Sequence, residues 1–280
     1  MEKGGYYYSP IGGLPNQEEL TLGKAKFNAS YLVIPSRSLT DIVTSLLPFW
    51  EKTRLWVLAR PMSGFSHTFA HYLMEVEEGG GSDLPRDDDG VESVLFVTEG
   101  LLELKYGEGV FILTPGSYVY LPPSSDWELL NIGDSRAVFH WILKQYEFVS
   151  GIPEPEFFVS HDDKQQAIAM PETNGAWTTT RFVDPNDLGH DMHVNIVTFQ
   201  PGASIPFLET HVMEHGIFIL EGKAVYNLNG DWIEVEEGDY LWLRAFCPQA
   251  CYAAGPSQFK YLLYKDVNRH PKLSNLSNMR

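Results

Sequence analysis

Residues 202–222 read Gly-Ala-Ser-Ile-Pro-Phe-Leu-Glu-Thr-His-Val-Met-Glu-His-Gly-Ile-Phe-Ile-Leu-Glu-Gly and supply three potential metal ligands, Glu209, His211 and His215. Side chains alternate between the two faces of a strand, so Glu209 and His211 point to the same side. His215 has the same parity, but a straight strand would place it about 20 Å from Glu209, too far for one ion. We therefore expect the chain to turn over residues 212–214, so that the next strand returns His215 to the other two ligands.

A fourth donor follows downstream, the amide carbonyl oxygen of Gln249. Two imidazoles, one carboxylate and one amide oxygen, without sulfur, suit manganese or ferrous iron better than a closed structural zinc site. The competing interpretation is that both histidines are hydrogen-bonded core residues and Glu209 is a loop carboxylate, because short motifs match often by chance.

An internal repeat favours the metal site. Three glycines of the second half recur in the first half at one offset, since 202 − 80, 222 − 100 and 238 − 116 all equal 122. Glycines at fixed offsets indicate tight turns that need a positive φ, used twice in one architecture. The sequence therefore predicts two copies of one β domain.

The local patterns between these glycines are those of short strands separated by Gly, Pro and Asp clusters, as in β-sandwiches and barrels. One short helix is expected, over residues 38–50, where apolar residues recur at helical spacing. The predicted division is an N-terminal arm (1–30), an N-terminal β domain (31–150), a linker (151–175), a C-terminal β domain (176–270) and a tail (271–280).

The two copies differ at the candidate ligands. The first-copy counterparts of Glu209, His211, His215 and Gln249 are Asp87, Asp89, Ser93 and Trp127. Tryptophan has no acceptor atom to offer a metal, so the first copy is expected to be metal-free and structural. Asp87 and Asp89 could bind a hard cation such as calcium, but an ordinary solvated loop is the preferred interpretation.

Composition narrows the function. The formal net charge of −17 argues against binding nucleic acid or anionic membranes, because no basic surface is indicated. Two cysteines, Cys247 and Cys251, are too few for a disulfide framework. With neither a signal-peptide pattern nor a membrane-length apolar run in the sequence, a cytoplasmic location is expected.

The spacing of the glycines, histidines and prolines resembles the two motifs of cupins, which are jelly-roll β-barrels. Within the first motif, Glu209 stands where most cupins have a histidine and His215 where they have a glutamate, while Gln249 replaces the histidine of the second motif. This permuted set and the segments 225–228, 238–240 and 264–269 resemble the (S)-ureidoglycine aminohydrolase family of bicupins.

The resemblance implies a fold and an activity. The fold would be all-β, with two tandem cupin barrels and few short helices. The reaction would convert (S)-ureidoglycine and water to (S)-ureidoglycolate and ammonia, in purine and allantoin degradation. The chain would act on this small molecule as a homo-oligomer.

The resemblance also implies the site residues. Manganese (Mn2+) would be held by Glu209, His211, His215 and Gln249. Substrate would contact Tyr226, Tyr261 and Lys265 as well as Glu209 and Gln249, and the catalytic residues would be Glu209, Tyr261 and Lys265.

Two other function classes remain open from the residues alone. Two histidines and a carboxylate also suit an iron-dependent bicupin dioxygenase. A bicupin that binds sugar or serves in storage, without catalysis, would not bind a transition metal. Cys247 and Arg244, near the second motif, depart from the family pattern and bear on substrate preference.

Overall fold

The structure, a computed structural model, is built almost entirely of β-strands. It describes residues 25–40, 43–62, 65–85 and 89–269. Helical structure in the strand-rich described part is limited to short 3-10 turns, such as Ser36–Ser38 and Asp162–Lys164. The all-β prediction is confirmed. None of the helices in the described ranges has the length and apolar character needed to span a membrane.

The N-terminal barrel is one nine-stranded sheet with the order β11-β8-β5-β10-β4-β9-β6-β7, in which β3 also pairs with β4. Its strands are β3 (Glu51–Ala59), β4 (Phe69–Ser82), β5 (Val91–Glu99), β6 (Leu102–Tyr106), β7 (Gly109–Leu113), β8 (Ser117–Leu121), β9 (Trp127–Asn131), β10 (Ala137–Gln145) and β11 (Phe158–His161). Inward-facing aliphatic and aromatic side chains, including Trp127 and Trp141, form its core.

The C-terminal barrel combines an eight-stranded sheet, ordered β1-β2-β18-β15-β20-β14-β13-β12, with a three-stranded sheet, β17-β16-β19. Its strands are β1 (Lys26–Phe27), β2 (Tyr31–Ile34), β12 (Ala167–Ala169), β13 (Trp177–Thr180), β14 (Met192–Phe199), β15 (His215–Glu221), β16 (Lys223–Leu228), β17 (Asp231–Glu236), β18 (Tyr240–Leu243), β19 (Gln249–Ala253) and β20 (Phe259–Asp266). A second core fills the space between the two sheets.

The two barrels share a third apolar core between their outer faces. Strand β18 shows why, because Leu241 and Leu243 belong to the core of the C-terminal barrel while Tyr240 and Trp242 belong to the shared core. A strand buried on both faces reads as a continuous apolar run, as Tyr-Leu-Trp-Leu does. The rings of Phe69 and Tyr264 stack across this junction with centroids 3.8 Å apart.

The chain crosses between the barrels at both ends of the first copy. Strand β2, which the sequence analysis assigned to the N-terminal domain, pairs instead with β18 of the C-terminal sheet. Its apolar run buries Leu32 in the shared core and Tyr31 and Val33 in the C-terminal core, which explains the placement. The expected linker contains two strands, β11 in the N-terminal sheet and β12 in the C-terminal sheet.

The repeated glycines occupy equivalent turns in two of the three pairs. Gly100 and Gly222 have φ values of 82° and 77°, and a Cβ atom at Gly222 would lie 2.1 Å from a backbone oxygen of Gln258. Gly116 and Gly238 also have positive φ. Gly80 differs, because it continues strand β4 while its neighbours Gly79 and Gly81 take the positive φ values.

The helix expected over residues 38–50 is not formed in the part of that stretch that the structure describes. Ser45 instead makes a two-way backbone bridge with Leu55 of β3. Val43 and Leu46, two members of the expected apolar stripe, are exposed. Residues 41–42, most of the expected N-terminal arm, Asp87 and the tail from 271 onward lie outside the described residues.

Candidate metal centre and active site

The predicted turn brings the two candidate histidines together. The chain bends at Val212 and Met213, and β15 then begins at His215. The His211 and His215 rings are stacked, with centroids 5.0 Å apart and planes 14° from parallel. On the other side, the Nε2 atom of His211 lies 3.4 Å from a carboxylate oxygen of Glu209.

Gln249 is joined to the same site through the backbone. Its N–H donates to the carbonyl of Glu209, and the N–H of Glu209 donates to the carbonyl of Gln249, both at 2.9 Å. This two-residue bridge places the start of β19 beside the segment that contains Glu209 and His211. The Gln249 side chain is buried. Four predicted ligands, separated by up to 40 positions in the sequence (249 − 209), therefore lie in one region of the barrel.

The donor chemistry of this region suits a metal. Burial and the neighbouring His211 and Lys265 lower the pKa of His215 to about 3, so its imidazole is neutral at physiological pH. A neutral imidazole is the form that binds a metal. Together with the Glu209 carboxylate and the Gln249 amide oxygen, the set matches the nitrogen and oxygen preference of manganese or ferrous iron.

The ligand atoms of Glu209, His211 and His215 do not all lie within 4.8 Å of one another. Among the described residues, that compactness is reached by His161, Asp162 and Asp163, beside Gly116 on the surface. There, however, the His161 Nδ1 atom accepts from the backbone of Asp163, and Lys260 pairs with Asp162 at 3.3 Å. These contacts explain why the three surface side chains lie close together without a metal. The barrel site is therefore the better candidate for a metal site.

A carboxylate that the sequence analysis did not select anchors the start of β15. Glu214 is buried and accepts hydrogen bonds from the backbone N–H groups of His67 and Thr68, at 2.7 and 2.9 Å. The Thr68 hydroxyl and the Trp242 indole donate to it as well, at 2.7 and 2.6 Å. Four donors on one carboxylate fix the backbone immediately before His215. Two of these donors are backbone groups of the N-terminal half of the chain.

The predicted substrate residues face the same interior. In the sheet register, Lys265 lies between His193 of β14 and His215 of β15. Tyr261 lies four residues earlier on β20, is buried in the C-terminal core, and has its pKa raised by burial, with Cys251 and Glu209 adding to the effect. The strand alternation predicted for Tyr261 and Lys265 is therefore present. Arg244 is exposed, and its backbone N–H donates to Ser30.

Tyr226 lies deeper than the other predicted residues. Its side chain is fully buried, and its hydroxyl makes no well-formed hydrogen bond. Burial, together with the nearby Tyr261 and Cys251, raises its pKa. Burial also raises the pKa of Cys247 to about 11 and that of Cys251 to about 12, so both thiols are protonated at physiological pH.

The equivalent region of the N-terminal barrel is filled with aromatic rings. Trp127, the counterpart of Gln249, packs edge-on against Trp50 and Trp141, with ring centroids 6.4 and 5.7 Å away. Asp89, one of the two acidic counterparts considered for calcium, lies at a turn before β5. These packed indole rings give Trp127 a structural role in the core.

Comparison with known families agrees with this architecture. Residues 72–143 and 195–264 both match the family model of the Cupin domain. The two matches start 123 residues apart (195 − 72) and end 121 apart (264 − 143), close to the 122-residue glycine repeat. The fold and the duplicated match define the class of protein as a bicupin.

Individual relatives narrow the class. The chain is 33% identical to (S)-ureidoglycine aminohydrolase of Escherichia coli (strain K12), over 81% of this chain and 86% of the relative. It is 36% identical to (S)-ureidoglycine aminohydrolase of Arabidopsis thaliana, over 82% and 74%. A crystal structure of a Pseudomonas aeruginosa protein described as glyoxylate-induced has a TM-score of 0.89 and 55% identity, covering 95% of this chain and 98% of that one. The chain belongs to the (S)-ureidoglycine aminohydrolase family.

Proposed function

We propose that the C-terminal barrel hydrolyses (S)-ureidoglycine to (S)-ureidoglycolate and ammonia, as an enzyme of ureide degradation. The observation that carries this proposal is the grouping of Glu209, His211, His215 and Gln249 in one barrel, with Lys265 in register beside His215. Relatives at 33–36% identity that are named for this reaction support it.

The four grouped residues are the proposed ligands of a manganese ion. When bound, the metal would anchor the polar head of the substrate and hold one face of its reacting carbon towards water. The neutral imidazole of His215 and the side chains of His211 and Gln249 would contribute no negative charge. Glu209 would therefore be the one anionic ligand.

The protein side chains have separate roles in the proposed reaction. Glu209 accepts the ureido N–H proton as the bond from the central carbon to the amino group breaks, and it passes that proton to the departing nitrogen, which leaves as ammonia. The product of this step is an acyl-imine. Water then adds across the C=N bond, giving the hydroxyl group of ureidoglycolate. Glu209 is the proposed proton acceptor, and Tyr261 and Lys265 orient the substrate carboxylate as hydroxyl donor and cation. Direct displacement of the amine by water is the alternative route to the same products.

The test is ammonia release from freshly prepared ureidoglycine, measured against a control without enzyme because the substrate decays on its own. Metal content and oxygen uptake are measured on the same preparation. Ammonia release without oxygen uptake, dependent on manganese, is the expected result. Oxygen consumption with bound iron would instead identify a dioxygenase. A protein that retains no transition metal and releases no ammonia above the control would be a binding bicupin.

A further inference from the structure

A second cation that the sequence analysis did not select lies beside Lys265. Arg181 follows directly after β13, and Thr180, the last residue of that strand, pairs with Ile196 of β14. Continuing the register places Arg181 opposite Asn195, which pairs with Leu263 of β20, two residues before Lys265. Arg181, Lys265 and His215 therefore lie at the same end of the C-terminal sheet.

Strand alternation also places Arg181 on the interior face. Trp177 and Thr179, two and four residues earlier, are buried, and Trp177 belongs to the core of the C-terminal barrel. Arg181 has the same parity. Consistent with this placement, the pKa of Lys265 is lowered by burial and by the positive charge of Arg181.

Within the part of the chain that the structure describes, no acidic side chain forms an ion pair with either cation. In the described ranges, neither Arg181 nor Lys265 forms an ion pair or a hydrogen bond through its side chain. Asp187, half exposed, contacts His190 at 3.9 Å and acts on the pKa of His193, while the Glu209 carboxylate lies against His211. Two partly desolvated cations without a partner are unfavourable in a folded protein, and all the more unexpected in a chain of net charge −17.

A third group in the same place lacks a partner. His193, in register with Lys265, is 3% exposed, and its Nε2 atom has no hydrogen-bond partner. Burial, Lys265, His190 and Arg181 lower its pKa to about 4, so the ring is neutral and can present an N–H group. Buried polar atoms are nearly always hydrogen-bonded, so this N–H group and the two cations beside it together favour an anionic ligand.

We propose that Arg181, Lys265 and His193 form a carboxylate-binding recess, in which the Arg181 guanidinium holds the substrate carboxylate through two parallel hydrogen bonds. A guanidinium matches a carboxylate in this paired geometry, while the Lys265 ammonium acts as a point charge. The recess would select substrates that carry a carboxylate next to the reacting carbon. The choice of ligand rests on the proposed function, whereas the recess itself rests on the residues above.

The experiment uses the metal-loaded protein and two stable compounds. Hydantoate has the ureido group and the carboxylate of the substrate but no amine to lose, and its primary amide lacks the charge. Calorimetric titration should show that Arg181→Met weakens hydantoate binding by about 10- to 100-fold, the range for a hydrogen bond to a charged group. Binding of the amide and the manganese content should stay at the wild-type level.

Two further variants control the result. Arg181→Lys keeps the charge but not the paired hydrogen bonds, so it should bind hydantoate more tightly than Arg181→Met does. If Arg181→Met does not fold, Arg181→Lys is titrated in its place. Arg244→Met removes an exposed cation and should have no effect. An equal loss with Arg244→Met, or an equal loss of amide binding with Arg181→Met, would overturn the recess.

The inference and the proposed function can fail separately. If hydantoate does not bind the wild-type protein, the proposed substrate is wrong, and the same variants are titrated with oxalate. Oxalate binding that depends on Arg181 would support the carboxylate-binding recess, with a carboxylate other than ureidoglycine as its ligand. Oxalate binding that ignores Arg181, or no binding of either carboxylate, would remove it.

Discussion

The Thr68 hydroxyl donates a 2.7 Å hydrogen bond to the carboxylate of Glu214, which connects the N-terminal half of the chain to the residue before His215. The Tyr264 hydroxyl lies 2.8 Å from the same Thr68 oxygen and extends the contact to β20. The N–H of Glu214 in turn donates to Asp266 at 2.8 Å. The N-terminal barrel, although its own interior is packed with aromatic rings, therefore helps to position a proposed metal ligand.

We call Glu214 and its hydrogen-bond donors from His67, Thr68 and Trp242 the Glu214 clamp. We expect Glu214→Gln to weaken both the metal site and the fold. The amide keeps one acceptor oxygen but presents an NH2 group to N–H donors, so we expect a loss of about 2–4 kcal/mol in the free energy of unfolding. Manganese affinity should fall because His215 is no longer fixed. Urea unfolding and metal titration measure the two effects. Glu221→Gln, an exposed change at the far end of β15, is the control and should affect neither.

Removing either imidazole should abolish metal retention. In His211→Ala or His215→Ala, one imidazole, one carboxylate and one weak amide ligand remain, which hold manganese poorly. Metal analysis after gel filtration measures the loss, and activity should fall with it. Trp127→Phe, in the packed N-terminal core, is the matched control: a folded variant that loses metal would contradict the assignment of the metal to the C-terminal barrel.

Gln249→Ala should be milder than either histidine change. A neutral amide oxygen contributes less than an imidazole, and water can take its place. The backbone bridge between Glu209 and Gln249 does not depend on the side chain, so the site should keep its shape. Metal titration should show weaker but measurable binding. Wild-type metal affinity with full activity in Gln249→Ala would remove this residue from the site.

Much of the site could be predicted because its signal is local. Three ligands fall within seven residues (209–215), and the geometry of a strand alone requires the turn that the structure has at Val212 and Met213. The glycine offset predicted the duplication for a similar reason, since tight turns demand glycine. Alternation along β20 likewise placed Tyr261 and Lys265 on one face.

The remaining features depend on contacts between distant residues, which leave no local pattern. Glu214 and its partner His67 are 147 positions apart, and nothing near Glu214 marks it as a clamp. Arg181 joins Lys265 only through the order of three strands. The apolar run of β2 would suit either sheet. Residues 38–50 have helical periodicity, but Ser45 pairs with Leu55 because backbone pairing with β3 satisfies its N–H and carbonyl groups.

Two buried histidines at the junction of the barrels predict how stability depends on pH. The Nε2 atom of His71 lies 3.0 Å from Nδ1 of His140, and the pair packs against Tyr240 and Phe218. Burial lowers the pKa of His140 to about 3, and burial together with His140 lowers that of His71. Both rings are therefore neutral in the folded protein, whereas in the unfolded chain they titrate near pH 6.5.

The unfolded chain binds more protons than the folded protein below pH 6.5. The free energy of unfolding should therefore be unaffected by these histidines above that pH and should fall as the pH decreases towards 3. His140 should account for about 2 kcal/mol of lost unfolding free energy between pH 7 and pH 5, and His71 should add to that loss. Other buried histidines add to the total, so the comparison of urea unfolding in wild type and His140→Phe isolates the contribution of His140. The variant should show a shallower pH dependence; an unchanged slope would exclude His140 as a source of it.

Lys265→Met should separate substrate binding from metal binding. Methionine keeps much of the apolar stem and removes the charge, so manganese content should stay at the wild-type level, because Lys265 is not a proposed ligand. Catalysis should lose about 2–5 kcal/mol of transition-state stabilisation, the range for truncating one member of a buried charge pair. The ratio kcat/KM for ureidoglycine measures this loss.

The control for Lys265→Met is Lys260→Met on the same strand. Lys260 has the opposite parity and pairs with Asp162, outside the C-terminal core, so its loss should leave kcat/KM unchanged. Combined loss of metal and activity in Lys265→Met would mean that Lys265 supports the metal site instead of the substrate. A fully active Lys265→Met would mean that Arg181 alone binds the carboxylate. In that case the double variant Lys265→Met/Arg181→Met should lose the activity that Lys265→Met retained. No other cation would then face the substrate from β13 or β20.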